Sequence, residues 1–212
     1  MGINVVKFAL DYQYRALKRW KWYRGDDTLL TDFEFDVGDI VIEGGCYHGE
    51  FTRRIATCGE PSVIGFEPIP EFFERAQAAT ANLSNVEIQC AGLSDRNSVV
   101  DIFSNGESSS VYRPHGKALK IEMRCIADIV GETRTKIALL VLNVEGEEFP
   151  ILENLLKTGL VNKIRTIIVQ FHLIEKSSKS RYNIISKKLA KSHDLVWRFP
   201  FIWERWDLTS KK

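Results

Sequence analysis

The chain has 212 residues, 44% of them hydrophobic and 27% charged, which suits one folded domain and excludes a disordered or fibrous chain. Twenty-nine Lys and Arg stand against 28 Asp and Glu, a net charge of +1 without the basic excess of a dedicated nucleic-acid binder. No run approaches the ~20 apolar residues that cross a bilayer.

Residues 1–36 read as an N-terminal helical extension, and 37–212 as the main domain. Residues 1–24 carry six Lys or Arg, one acid (Asp11) and the aromatics Phe8, Tyr12, Tyr14, Trp20, Trp22 and Tyr23. Asp11 and the basic run 15–24 interrupt any signal-peptide core. Val6 stands where a myristoylation site needs Ser or Thr. Val6, Leu10, Tyr14 and Leu17 fall at helical spacing. The helix is read as packing over the domain edge or lidding a site; the alternative is a basic, aromatic helix in peripheral contact with membrane. Cys46, Cys58, Cys90 and Cys125 form no C-x-x-C pair, so they are expected as reduced, mostly buried thiols of a cytoplasmic protein.

From residue 39, short apolar runs alternate with helical stretches. The runs are Asp39–Glu43, Ser62–Phe66, Val86–Cys90, Ile137–Leu142 and Thr166–Phe171. The helical stretches are Gly49–Cys58, Glu71–Asn82, Glu147–Lys157 and Arg181–Lys191. Short uniformly apolar runs suit strands buried on both faces, and the alternation gives an α/β domain with a parallel sheet between helices. Val99–Phe103 and Ala118–Cys125 read as a β insertion after the third core strand. Leu195–Leu208 reads as two extended pieces around Pro200, placed as antiparallel strands at one edge.

Ligands of open α/β sheets bind beyond the carboxyl ends of the strands. After the first run stands Glu43-Gly44-Gly45-Cys46-Tyr47-His48-Gly49, and after the second Glu67-Pro68. After the third comes Ala91–Asp95, after the fourth Asn143–Glu147, and after the fifth His172. Glycines let the backbone turn sharply and approach a ligand, and an acid about 20 residues on suits a ribose diol. The dinucleotide pattern G-x-G-x-x-G fails at Cys46. The spacing Glu43, Gly45, Gly49 suits S-adenosylmethionine better, because an acid before the turn favours a cationic ligand over a phosphate. Simple packing is the competing explanation of the glycines.

Four stretches then resemble the FkbM-type S-adenosylmethionine-dependent methyltransferases. They are GDIVIEGGCYHGEFT (38–52), VIGFEPIPEFFE (63–74), NVEIQCAGLSD (85–95) and LLVLNVEGEEFPIL (139–152), with IIVQFH (167–172) as a fainter fifth. The Ser108-Ser109-Ser110 loop and the closing FPFIWERW (199–206) are also similar to family members. The resemblance implies a Rossmann-like, seven-stranded class I methyltransferase sheet and O-methylation of a sugar, glycan or related small-molecule hydroxyl. By position, Glu43, Gly44, Gly45, Tyr47 and Gly49 would line the methionine end of the cofactor. Glu67 and Pro68 would hold the ribose, Ser94 and Asp95 would lie near the adenine, and Asn143 and Glu145 would face the methyl and the acceptor.

The sequence departs from the family pattern at Glu43, Tyr47, Asn143 and Gln170. Asn143 matters most: it stands where an acid is usual, and an amide orients a hydroxyl but takes no proton. Glu145 and His172 are then the base candidates. Residues 143 and 145 share a face if the extended backbone continues, and His172 has an ordinary pKa near 6.5. Their competing structural roles are a helix cap for Glu145 and a loop-carbonyl bond for His172. His48 is expected toward solvent and His115 near substrate. No metal set is complete, since Glu145 and His172 alone fall short. Nucleic-acid amino-methylation is disfavoured, because Asn143 is followed by Val-Glu-Gly rather than two prolines and an aromatic. A non-catalytic member that binds cofactor or partner is the alternative to an enzyme. Oligomeric state is not legible.

Overall fold

The computed structural model describes residues 2–105, 108–110 and 117–210, with side chains described from 12 to 101 and from 119 to 210. Helices α1 (Gly2–Trp22) and α2 (Gly25–Thr28) precede β1 (Ile40–Gly44), α3 (Glu50–Ala56), β2 (Ser62–Phe66), α4 (Pro70–Thr80) and β3 (Val86–Gln89). Four further strands follow: β4 (Gly92–Ser94), β5 (Ser98–Asn105), β6 (Ser108–Ser110) and β7 (Lys117–Cys125). Then come α5 (Ile126–Glu132), β8 (Ile137–Leu142), α6 (Glu148–Thr158), a 3₁₀ turn (Leu160–Lys163) and β9 (Ile164–Val169). Helix α7 (Ser178–Leu189), β10 (His193–Phe199) and β11 (Trp203–Leu208) close the chain.

The main sheet has seven strands in the order β3-β2-β1-β8-β9-β11-β10. Strands β3, β2, β1, β8 and β9 are mutually parallel. Only β11 runs against its neighbours. The tail therefore forms the expected antiparallel pair at the sheet edge, with β11 rather than β10 next to β9. The crossover through α7 returns β10 in the direction of the core strands, one place out from β9, and the turn at Pro200 folds β11 back into the gap.

The apolar runs explain the strands. All six residues of β8 are buried, as a strand covered on both faces requires. Leu139 and Val141 join a cluster with Trp20, Ile55 and Ile168, while Leu140 and Leu142 join one with Ile126, Leu152 and Ile185. Helices α1 and α3 thus cover one face, and α5, α6 and α7 the other. Helix α6 buries Phe149, Ile151, Leu152 and Leu155, one helical stripe, and stops at Gly159, whose φ of 75° is the left-handed cap glycine favours. Helix α5 was not legible as a separate element of the sequence.

The β insertion forms a second sheet in the order β4-β7-β5-β6. Ser108–Ser110, expected as a loop, pairs with Phe103–Asn105 as β6. His115 lies outside the described residues. Trp20 is buried, meets Phe199 edge-on at 5.2 Å and lies 5.8 Å from Trp197. Helix α1 therefore packs over the β10 edge through Ala16, Leu17 and Trp20, whereas Tyr14, expected on that stripe, is exposed. All four cysteines are free; Cys46 and Cys125 are buried, and Cys90 is exposed.

Candidate active site

The carboxyl ends of β1, β2 and β8 are level, with Gly44 opposite both Phe66 and Leu142. Beyond Gly44 the chain turns sharply. Gly45 has φ 84°, and a Cβ there would stand 2.1 Å from the Asn143 carbonyl oxygen. Only glycine fits, because the backbones after β1 and β8 touch at this point. Asn143 N–H donates to the Gly44 carbonyl at 3.0 Å, and the N–H groups of Gly45 and Cys46 donate to Phe66 O. Gly49 (φ 78°) brings the start of α3 against Ala76 of α4, where a Cβ would lie 2.9 Å from the Ala76 Cα.

Glu67 is buried and ties two loops together. Its Oε2 accepts from Tyr47 N–H at 2.9 Å and its Oε1 from Ile69 N–H at 3.0 Å. A carboxylate oxygen has two lone pairs, so each retains capacity for a ligand hydroxyl. Burial raises the Glu67 carboxyl, and the two backbone donors pull the other way. Pro68 follows and approaches Gly92, where a Cβ would lie 3.7 Å from the Pro68 ring. Glu43 lies beneath the glycine turn and accepts from Thr52 Oγ1 at 2.6 Å. Burial pushes its carboxyl up to about 7, against the lowering effect of the Thr52 bond.

Tyr47 adopts φ 50°, unusual for a non-glycine residue. Its ring stacks on His48 at 3.7 Å and meets Phe72 edge-on at 4.7 Å. His48, expected to face solvent alone, belongs to this aromatic wall and contacts Arg75 Nη1 at 3.2 Å.

Ser94 and Asp95 follow the third strand, at the end of β4 and just after it. Strand β3 ends at Gln89, so Cys90 and Ala91 stand at its ligand end, and the next residues enter the second sheet. Ser94 Oγ donates to Glu147 Oε2 at 2.6 Å, and the Asp95 carbonyl accepts from Asn154 Nδ2 at 2.9 Å. The pair therefore joins β4 to α6. Sequence reasoning passed over Cys90. Its thiol is raised by partial burial and then by the nearby charges of Glu67, Glu74 and Glu122.

The β8 and β9 ends converge on His172. Its Nε2 lies 3.4 Å from Glu145 Oε1, and its Nδ1 lies 3.3 Å from Glu148 Oε1. Glu148 is fully buried; it also accepts from His172 N–H at 2.6 Å and Gly146 N–H at 2.8 Å. Burial works to lower the His172 pKa, but the hydrogen bonds and charges of Glu145 and Glu148 outweigh it and lift it to about 9. Both ring nitrogens are turned to carboxylates rather than to a loop carbonyl, and the raised pKa favours the protonated ring, which makes Glu145 a stronger candidate proton acceptor than His172. Glu145 reaches the ring through a left-handed turn (φ 49°), not through continued extension. Glu148 binds the Gly146 N–H just ahead of α6. Sequence reasoning missed Glu148, the second acid of Glu147-Glu148. Among the described residues no group of three or more His, Cys, Asp or Glu is arranged to hold a metal ion.

The geometry amounts to a side-chain-free turn beside a buried acid, facing a carboxylate–imidazolium–carboxylate row. The family model described as the methyltransferase FkbM domain matches residues 44–199. The chain belongs to the FkbM methyltransferase family. S-adenosylmethionine is the cofactor of this methyltransferase. No curated protein sequence matches. The fold is similar to that of a candidate rRNA methylase from Clostridium thermocellum, at 12% identity and TM-score 0.54, covering 84% of this chain and 91% of that one. A candidate methyltransferase from Streptococcus mutans in complex with SAH is similar at 9% identity and TM-score 0.53, covering 85% and 94%. The N-methyltransferase NodS from Bradyrhizobium japonicum is similar at 12% identity and TM-score 0.51, covering 91% and 98%. These likenesses establish the class I Rossmann-like methyltransferase fold of the FkbM domain.

Proposed function

We propose that this FkbM methyltransferase methylates a hydroxyl of a sugar, glycan or related small molecule, in the cytoplasm, with Glu145 as the general base. The observation that carries the reading is the row Glu145–His172–Glu148 at the mouth between β8 and β9. A hydroxyl acceptor must lose a proton as it is methylated, and a carboxylate fixed at the mouth can take it.

The residues fit the cofactor. The turn at Gly44 and Gly45 leaves the backbone bare, Glu67 retains lone pairs for the ribose diol, and Glu43 sets a titratable carboxyl beneath a cationic ligand. Tyr47, Gly49 and Pro68 would complete that lining. When bound, the cofactor supplies a methyl on a sulfonium sulfur, an electrophile that needs no further activation. Positioning is then the larger requirement, worth up to ~7–11 kcal/mol, and a base adds typically ~10²–10⁴-fold.

Asn143 would orient the acceptor hydroxyl, and Glu145 would accept its proton. The His172 imidazolium would hold Glu145 in place, while buried Glu148 offsets the ring's charge so that the row stays net negative. This pairing supplies the base that Asn143 lacks, and it favours the enzyme over a non-catalytic member of the fold. A labelled-methyl transfer screen over nucleotide sugars and oligosaccharides tests the reading. Labelled methyl ether that falls at least ~100-fold in Glu145→Gln is expected. Labelling confined to amines or RNA would overturn the acceptor class.

A further inference from the structure

We propose that α1 docks the protein on an anionic lipid surface through the face it turns away from the sheet. One turn of helix is 3.6 residues, so Gln13, Ala16, Leu17 and Trp20 form the packed side. The opposite side presents Tyr14, Arg15, Lys18, Lys21 and Trp22, all exposed, while Arg19 leans back over the Phe199 ring at 5.7 Å. Trp22 is 86% exposed, and the sequence from Tyr12 to Arg24 contains no acid. Lys18 Nζ lies 4.6 Å from the centre of the Tyr14 ring, so charge and aromatic surface are interleaved.

Indole and phenol rings prefer the boundary between water and lipid, and Lys and Arg are attracted to acidic headgroups. The strip is convex and confined to one helix. A single-stranded nucleic acid is more often held in a groove, and the net charge of +1 gives such a ligand no wider basic field. The anchoring also orients the molecule. Gln13 Nε2 donates to Phe201 O at 3.4 Å in the turn between β10 and β11. That turn lies at the carboxyl end of the sheet, because Glu204 pairs with Val169, the last residue of β9. Docking would bring the catalytic mouth alongside the surface. The proposal does not rest on the acceptor class.

Vesicle flotation of the full chain tests it, with phosphatidylcholine alone and phosphatidylcholine with phosphatidylglycerol, at 0.1 M and 1 M salt. Binding to the anionic vesicles at 0.1 M that is lost at 1 M salt is expected. Each basic residue near such a surface is worth about fivefold in partition, so Lys18→Glu with Lys21→Glu should weaken binding at least ~25-fold. Trp22→Ala should weaken it further. The exposed pair Lys187→Glu with Lys188→Glu carries the same charge change on α7 and should leave binding intact. Equal losses in the two charge pairs, or no binding to anionic vesicles by the folded chain, would overturn the proposal. So would tighter binding of a single-stranded RNA probe that the same α1 substitutions abolish, or a Trp22-dependent dimer in light scattering.

Discussion

Replacing His172 by Gln removes the imidazolium while leaving hydrogen-bonding capacity between Glu145 and Glu148. The His172 pKa of about 9 lies about 2.5 units above the ordinary 6.5. At 1.36 kcal/mol per unit, the folded state favours the protonated ring by about 3 kcal/mol. Because the folded pKa is raised, this stability is fully present below about pH 6.5 and is lost as pH rises through 9. In that window the folded chain holds a proton that the unfolded chain has released, so unfolding free energy falls with a slope near −1.4 kcal/mol per pH unit from this group. Urea unfolding at pH 6, 7.5 and 9.5 measures it. Wild type should lose about 3 kcal/mol more than His172→Gln between the first and last pH. Glu43 and His193 also titrate abnormally, but they are common to both proteins and cancel in the difference. Parallel stability profiles, or an NMR titration of the His172 ring with a midpoint near 6.5, would refute the paired imidazolium.

Gly45→Ala should abolish measurable cofactor binding in calorimetry, because a left-handed alanine costs about 1–2 kcal/mol and its methyl would strike the Asn143 carbonyl; retained affinity would mean that the loop relaxes freely. Glu67→Ala removes the acceptor for Tyr47 and Ile69 N–H as well as the ribose partner, so cofactor affinity should drop at least ~10-fold, each bond to a charged group being worth about 1.5–3 kcal/mol. Burial raises the Glu43 carboxyl to about 7, and a cationic ligand above it should favour the ionised form and so release a proton on binding. Calorimetry in buffers of different ionisation heat should show the release in wild type and none in Glu43→Gln. Trp20→Ala empties the α1 contact with Trp197 and Phe199 and should cost about 3–5 kcal/mol in chemical unfolding.

The core strands were legible because their burial is two-sided: Ile137–Leu142 reads as a strand from composition alone, and it occupies those residues. Glu67 was legible by its distance from the glycine turn, and the approach of Glu145 to His172 by the order of strand ends. Glu148 was not. Among Glu145, Glu147 and Glu148, no local pattern reveals which carboxylate is buried, since that depends on His172 arriving from 24 residues away. The raised pKa of His172 is invisible for the same reason: it is set by Glu145 in the loop after β8 and by Glu148 at the start of α6. The bonds of Ser94 and Asp95 to α6 were not legible, because the third strand stops at Gln89 and the chain leaves the main sheet at once. The insertion of β11 between β9 and β10 depends on an edge left vacant by the α7 crossover, which no residue pattern in Leu195–Leu208 records.

A crystal structure of the chain soaked with S-adenosylhomocysteine addresses the pocket most directly. The ribose hydroxyls should lie within hydrogen-bond distance of Glu67, with the sulfur turned toward Asn143 and Glu145. Density for that compound elsewhere, or side chains filling the crevice above Gly45 while a saturating soak leaves Glu67 without a ligand contact, would contradict the account.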